Sequence, residues 1–471
     1  MSSADPADIQ AIIDRGFGSL PSARYLLLHV ADAAAARYWL RSLTVTSLAD
    51  AKGARLDRVR QIAFTAAGLK ALGFDPDTVP GFAPEFLDGM AGDPSRSRRL
   101  GDIGANDPAH WRWGTGAAEP HILVILLAQE ADIAAFEADT LASMPISVSR
   151  SPWSGSSREP VSREPFGFLD GVSQPEIDWD GTLAPGGARD RLYRNRIALG
   201  EFLLGHANEY GFVTDYPAQD AIGFNGSYIA YRQLAQDVTG FWQWMAQQAG
   251  EDGAVPLAET MVGRRIDGDP LPALAHSPIE GETDARNTFT FAADPDGLTC
   301  PIGAHIRRAN PRSSDDPQGR HGFVRDLIAS LGLTGTAIHD AVASARFHRI
   351  LRRGRTYGTS ISPQDAMRGV QLAEEAGLHF ICLNANFARQ FEFVQGAWLA
   401  SPYFAGLSGE QDPVLGNRCP VAGSRASDAF SHVDPDGHPR LATGLPQFVT
   451  VVGGAYFFLP GLSGLARILR D

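Results

Sequence analysis

The sequence predicts an α+β fold built from two units, and three observations carry that expectation. Two short, almost wholly apolar runs, Tyr25 to Val30 (YLLLHV) and His121 to Leu127 (HILVILL), have strand length and are bounded by turn or polar residues. Alanine-rich stretches with apolar residues at helical spacing, Ala33 to Leu43, Thr65 to Leu72 and Glu130 to Ser143, lie between and after them. Strand-like runs resume far downstream, at His379 to Leu383 and at Phe448 to Phe458, the latter interrupted by Gly453-Gly454 in the manner of a bulge.

Between the two sets of strands, Ser147 to Arg163 is rich in Ser, Pro and Arg without periodicity and reads as a connecting loop. It places a boundary between an N-terminal unit, residues 1–160, and a C-terminal unit, residues 161–471. Asp178 to Arg196 reads as a surface excursion and Pro270 to Asp294 as loop, so a loop-rich insertion over about 178–294 is expected in the second unit. Within that span a helix at Asp237 to Gln248 carries Phe241, Trp242, Trp244 and Met245 as a core-facing stripe.

The bulk numbers restrict function by class. At 471 residues the chain has ample interior for a buried ligand. Its 41 basic and 54 acidic residues give a net charge of −13, which opposes binding to nucleic acid or anionic membrane and favours small-molecule partners. Cys300, Cys382 and Cys419 are isolated, with no C-x-x-C pair, which fits a reducing compartment and indicates neither a disulfide framework nor a zinc ribbon. The N-terminal residues show no basic region leading into an apolar core, and no apolar run approaches the ~20 residues of a spanning helix. The expected location is cytoplasmic, and a homo-oligomer is left open.

Three segments carry chemistry. In Gly167-Phe168-Leu169-Asp170-Gly171 the flanking glycines permit a tight turn that presents a carboxylate. In Cys300-Pro301-Ile302-Gly303-Ala304-His305-Ile306-Arg307-Arg308 a lone histidine stands beside two arginines, with Arg312 close behind. Ile350-Leu351-Arg352-Arg353-Gly354-Arg355-Thr356-Tyr357-Gly358 adds a cationic cluster. A histidine that can bind iron, a carboxylate that can move protons and an arginine whose charge does not titrate are the parts needed to hold and work a haem.

These segments, with Ala63 to Leu69, Phe202 to Gly205, Asn225 to Tyr228, Met261 to Arg264 and Arg389 to Gln395, occur in the order in which the chain resembles the dye-decolorizing (DyP-type) peroxidase family, in its longer form. The resemblance implies two ferredoxin-like domains of the dimeric α+β barrel type, with antiparallel sheets, peripheral helices and a haem b held mainly by the second. It implies His305 as axial iron ligand, Asp170 as distal acid–base group and Arg352 as distal cation, acting on hydrogen peroxide and small-molecule electron donors. Arg353 is the rival if the alignment slips by one, and Arg307, Arg308 and Arg312 are the candidates for the haem propionates.

Two departures stand out. Some members have an asparagine where this chain has Gly354. Some have an aspartate holding the proximal histidine, and here Asn386 falls at the expected position, which would raise the iron reduction potential. Tyr357, Trp398 and Tyr403 are candidate surface oxidation sites by proximity to the motifs, although packing is the commoner duty of such residues. The competing reading is a haem carrier or iron-releasing protein with incidental peroxidase activity.

Overall fold

In the computed structural model, which describes residues 4–157, 163–182, 195–271, 285–291, 293–312, 344–420, 427–434 and 436–470, ten strands form one sheet. The N-terminal strands are β1 (Ser22–Val30), β2 (Arg58–Phe64), β3 (Ile122–Ala128), β4 (Val148–Arg150) and β5 (Gly155–Ser157). Those from the second part of the chain are β6 (Ser227–Gln236), β7 (Leu351–Arg352), β8 (Arg355–Tyr357), β9 (Ala376–Asn384) and β10 (Val449–Leu459). The order is β8-β9-β6-β10-β2-β3-β1-β4, with β5 on β1 and β7 on β9, and all ten pair antiparallel without closing into a barrel.

Both faces of this sheet are covered, which explains the unbroken apolar runs. Along β1, Ala23, Tyr25 and Leu27 enter one core while Leu26, Leu28 and Val30 enter the other, as the period of two requires. Helix α1 (Ala33–Ser42) begins where Asp32 accepts from the Ala35 N–H, and α2 (Ala66–Ala71) where Thr65 accepts from the Gly68 N–H. Helix α3 (Ile133–Leu141) completes the N-terminal part.

Sequence and structure differ at three places here. The connecting loop at Ser147 to Arg163 contains the edge strands β4 and β5, whose Ser and Arg side chains give little apolar signal. Strand β2 went unread because Arg58 and Arg60 interrupt its apolar residues. The span 178–294 holds the central strand β6, which was not expected, beside the expected helix with its buried Phe241, Trp242, Trp244 and Met245, which runs on as α4 (Val238–Val262), broken at Gly250. Parts of Asp178 to Arg196 and of Pro270 to Asp294 lie outside the described residues. Among the described residues no helix is long and apolar enough to cross a membrane.

The two sets of strands meet where Phe458 of β10 pairs with Phe64 of β2. The register of β10 shifts between Val451 and Gly453, where a Cβ on Gly453 would stand 2.4 Å from Trp113 Nε1. A buried ion pair reinforces the junction: Arg232 of β6 donates from both terminal nitrogens to Asp102, and neither residue exceeds 3% exposure. Removing one partner strands the other charge in the core. Arg232→Ala is therefore expected to destabilise the fold by about 3–5 kcal/mol, measured by urea denaturation, whereas the surface substitution Arg368→Ala should stay within about 0.5 kcal/mol.

Candidate functional site

His305 opens a short helix, α5 (His305–Ala309), and the loop before it is organised by one carboxylate. Asp294 accepts from the N–H groups of Leu298, Thr299 and Cys300, and Arg307 donates to Asp294 and to the Cys300 and Asp294 carbonyls. Arg308 donates to the carbonyls of Trp398, Glu410 and Ser401. Both guanidinium groups are almost fully buried and commit themselves to backbone acceptors. This corrects the expectation that Arg307 or Arg308 meets a cofactor carboxylate: they clamp the helix that carries His305, and neither lies on the cavity wall.

The imidazole is held by an aspartate that the sequence reading missed. His305 Nδ1 lies 3.0 Å from Oδ2 of Asp412, whose Oδ1 accepts from the Val414 and Leu415 N–H groups. Burial alone would lower the His305 pKa, but the Asp412 charge and hydrogen bond outweigh it and leave it raised. For Asp412, burial pushes upward and His305 with Arg308 pulls the carboxyl below its usual range. Asn386 was expected in this place; instead its Oδ1 accepts from the Arg389 N–H and caps the following turn. Asp412 follows His305 by 107 residues, and its local signal, an Asp-Pro pair, indicates only a turn.

Asp170 and Arg352 meet on the same cavity. Gly167 at φ 103° and Gly171 at φ 78° shape the turn, and Asp170 Oδ1 accepts from the Gly171 N–H at 2.6 Å and from Arg352 Nη1 at 3.0 Å. Arg352 also donates from Nη2 to the Ser173 carbonyl and from its backbone N–H to Gln174 Oε1. The side chains are 37% and 34% exposed, and both line the cavity. Burial pushes the Asp170 pKa up, but Arg352 and the Gly171 N–H prevail and hold it below the ordinary value.

Alternation separates the two neighbouring arginines. Arg353 points away from Arg352 and donates to the carbonyls of Ile12 and Ile13, while Arg352 faces the cavity. Gly354 has a steric reason: a Cβ there would stand 2.2 Å from the His379 carbonyl oxygen, so no asparagine fits without moving β9.

The cavity encloses about 1860 Å³ of empty space, its open mouth included. Phe168, Val262, Phe380, Trp398 and Leu415 supply apolar walls, and Arg264, Arg312 and Arg349 add cationic ones. A haem fits this donor set. With Nδ1 engaged by Asp412, Nε2 is the ring nitrogen left to bind iron, apolar walls suit a macrocycle and the positive charge of the wall arginines suits its carboxylates. Arg312 is the one member of the expected trio on the wall, and Arg264 and Arg349 join it there; all three are largely buried, Arg312 donating to the Asn287 and Phe289 carbonyls, Arg264 to those of Gly268 and Arg286, and Arg349 to Asn195 Oδ1. His348 also lines the cavity, but its Nδ1 faces the Arg389 carbonyl, a weaker electron-donating partner than a carboxylate. His206 bonds Asn225 and His379 bonds Tyr231, both away from the cavity. Trp398 is a wall residue, Tyr357 bonds the Leu234 carbonyl and Glu375, and Tyr403 is 55% exposed.

No protein-family model matches the chain. A dye-decolorizing peroxidase of Exidia glandulosa is 31% identical over 322 residues, covering 64% of this chain and 55% of that protein. The multifunctional dye peroxidase DyP2 of an Amycolatopsis strain is 31% identical over 325 residues, covering 65% and 61%. The alignment with dye-decolorizing peroxidase msp1 of Mycetinis scorodonius, at 27% identity, covers 87% of this chain and 76% of that protein. The chain thus spans 55–61% of the first two relatives' length. Among solved structures, a fungal DyP-type peroxidase from Auricularia auricula-judae superposes with a TM-score of 0.76 over 100% of both chains at 24% identity. A dye-decolorizing peroxidase in complex with 2,6-dimethoxyphenol gives 0.75 over 99% of this chain and 100% of that one, at 24% identity.

The crowding at Gly354 yields a direct test. Gly354→Asn is expected to destabilise the protein by about 1–3 kcal/mol, read as a lowered Tm, because β9 must give way.

Proposed function

We propose, for a chain that belongs to the dye-decolorizing (DyP-type) peroxidase family, that it reduces hydrogen peroxide to water with a haem b bound in the His305 cavity and oxidises phenolic, dye-like or other small organic donors. The observation that carries this reading is the convergence on one cavity of a carboxylate-backed histidine and a carboxylate–guanidinium pair. Haem iron, when bound, supplies the centre that takes electrons from donors and passes them to peroxide.

The residues of this chain then have separate duties. His305 would hold the iron through Nε2, and Asp412, fixing Nδ1, orients the ring and would make it a stronger donor. Asp170, kept ionised by Arg352, accepts the proton from one peroxide oxygen and returns it to the oxygen that leaves as water. Arg352 keeps its charge throughout and stabilises negative charge on the departing oxygen. Apolar walls limit competing water. The competing reading, a haem carrier, has no use for an acid–base carboxylate paired with a fixed cation.

Stopped-flow mixing of holoprotein with peroxide tests these roles. Asp170→Ala is expected to slow the peroxide step by about 10²–10⁴-fold and Arg352→Ala by about 10²–10³-fold; equal rates in all three proteins would overturn the assignment. The pH profile adds a sign. Asp170 is active as the carboxylate, so activity falls on the acid side; Arg352 is the strongest lowering influence on it, and the neighbouring Glu164 is the other carboxylate coupled to it. In Arg352→Leu the acid limb of kcat/KM for peroxide should move to higher pH. His305→Ala should fail to retain haem, read as loss of the Soret band from purified protein. Asp412→Asn should bind haem but shift the iron(III)/iron(II) potential positive, and an unchanged potential would deny Asp412 its electronic role.

A further inference from the structure

Glu164 stands on the wall of the same cavity, and none of the duties above uses it. Its Oε1 accepts from the Phe168 N–H at 2.9 Å, and its Oε2 accepts from the Phe166 N–H at 3.0 Å and from Gln236 Nε2 of β6 at 2.8 Å. The backbone closes around the same carboxylate: Glu164 N–H donates to the Phe168 carbonyl and Gly167 N–H to the Glu164 carbonyl. Residues 164–168 therefore form a loop wrapped about one side chain, and Asp170 follows two residues later.

The loop rests on α4, where Phe166 stacks on Phe241 with ring centres 4.3 Å apart and Trp242 Nε1 donates to the Phe166 carbonyl. Those contacts hold the rings and one carbonyl, but they leave the two amides flanking Gly167 dependent on Glu164. An amide side chain cannot replace it, because one of its two ends is a donor and would face an N–H. The far side of the segment is fixed by Arg352, through Ser173 and Gln174. Leu169 N–H also donates to the Ile266 carbonyl, and Arg163 Nη1 to the Gly167 and Ile266 carbonyls, which ties the outer side of the loop; Asp170 thus follows a loop gathered from inside by the Glu164 carboxylate and meets the Arg352 guanidinium beyond it.

We propose that Glu164 is a positioning residue for Asp170: its carboxylate gathers the Phe166 and Phe168 amides and the Gln236 side chain, and so sets where Asp170 meets Arg352 over the cavity. This rests on the peroxidase reading of Asp170. Burial pushes the Glu164 pKa up to about 7, against three hydrogen bonds that favour the ionised form and with the nearby Asp170 charge adding to the rise.

Glu164→Gln, Asp170→Asn and the double variant test this, with Gln236→Leu as a milder probe should Glu164→Gln fold poorly. Hydrogen exchange in the apoprotein, read by mass spectrometry over residues 163–172, should quicken in Glu164→Gln. In holoprotein the second-order rate with peroxide should fall about 10–10²-fold, while the Soret band and the donor-side kcat/KM hold; Gln236→Leu should give a smaller loss of the same kind. The double variant should be no slower than Asp170→Asn alone. If Glu164→Gln leaves the peroxide rate unchanged while Asp170→Asn abolishes it, or if it slows Asp170→Asn further by the same factor, positioning is refuted and the peroxidase reading stands. If Asp170→Asn itself is as fast as wild type, both fall together.

Discussion

Successive side chains of a strand point to opposite faces of a sheet, and in this molecule both faces are buried, so every charged residue on a central strand must find a partner on one side or the other. The arginine cluster beginning at Arg352 shows the result. Arg352 turns toward the cavity and pairs with Asp170; Arg353 and Arg355 turn the other way and bind the carbonyls of Ile12, Ile13, Gly16, Phe17 and Leu20. One segment thereby supplies the site's cation and fastens the N-terminal residues to the second half of the sheet. A slip of one residue would exchange these duties and leave two guanidinium groups without their carbonyls.

The same economy of arginine recurs around His305. Arg307 and Arg308 look, in sequence, like ligands for an anionic group, yet each is surrounded by backbone oxygens. Burial lowers the pKa of both, Arg308 and also Arg353 to about 10, which still leaves them charged at neutral pH. A guanidinium carries five donors spread over a fixed plane and can therefore tie loop carbonyls several ångströms apart, whereas lysine's three donors share one nitrogen. The loops so tied are those that set His305 and Asp412 at hydrogen-bond distance.

What was legible in the sequence follows from this. Strands β1, β3, β9 and β10 could be read because both of their faces are apolar, and β2 could not because two arginines break its pattern. His305, Asp170 and Arg352 stood out through short motifs in which glycine, histidine or arginine is needed locally. Asp412 did not: its importance lies in a contact 107 residues away, and nothing near it in sequence records the histidine it holds. Asn386 was chosen by position in a motif, and the structure gives it the local duty of capping a turn. Arg264 and Arg349 were passed over for a related reason, since an arginine's reach lets residues from distant segments share one wall.

The two carboxylates flanking Gly167 show how environment divides labour between like groups. Asp170 and Glu164 are six residues apart and line the same cavity. Arg352 pulls Asp170 down in pKa, whereas Glu164, with neutral donors only and with Asp170 nearby, is pushed up to about 7. A carboxylate with a fixed cation is held ionised; one held only by neutral amides, with that charge beside it, binds its proton more tightly than a free carboxylate while still accepting on both oxygens. Were both ionised side by side without Arg352, their repulsion would oppose the turn that brings them together. The Arg352 ion pair and the Glu164 amide contacts therefore act on the same turn from its two sides.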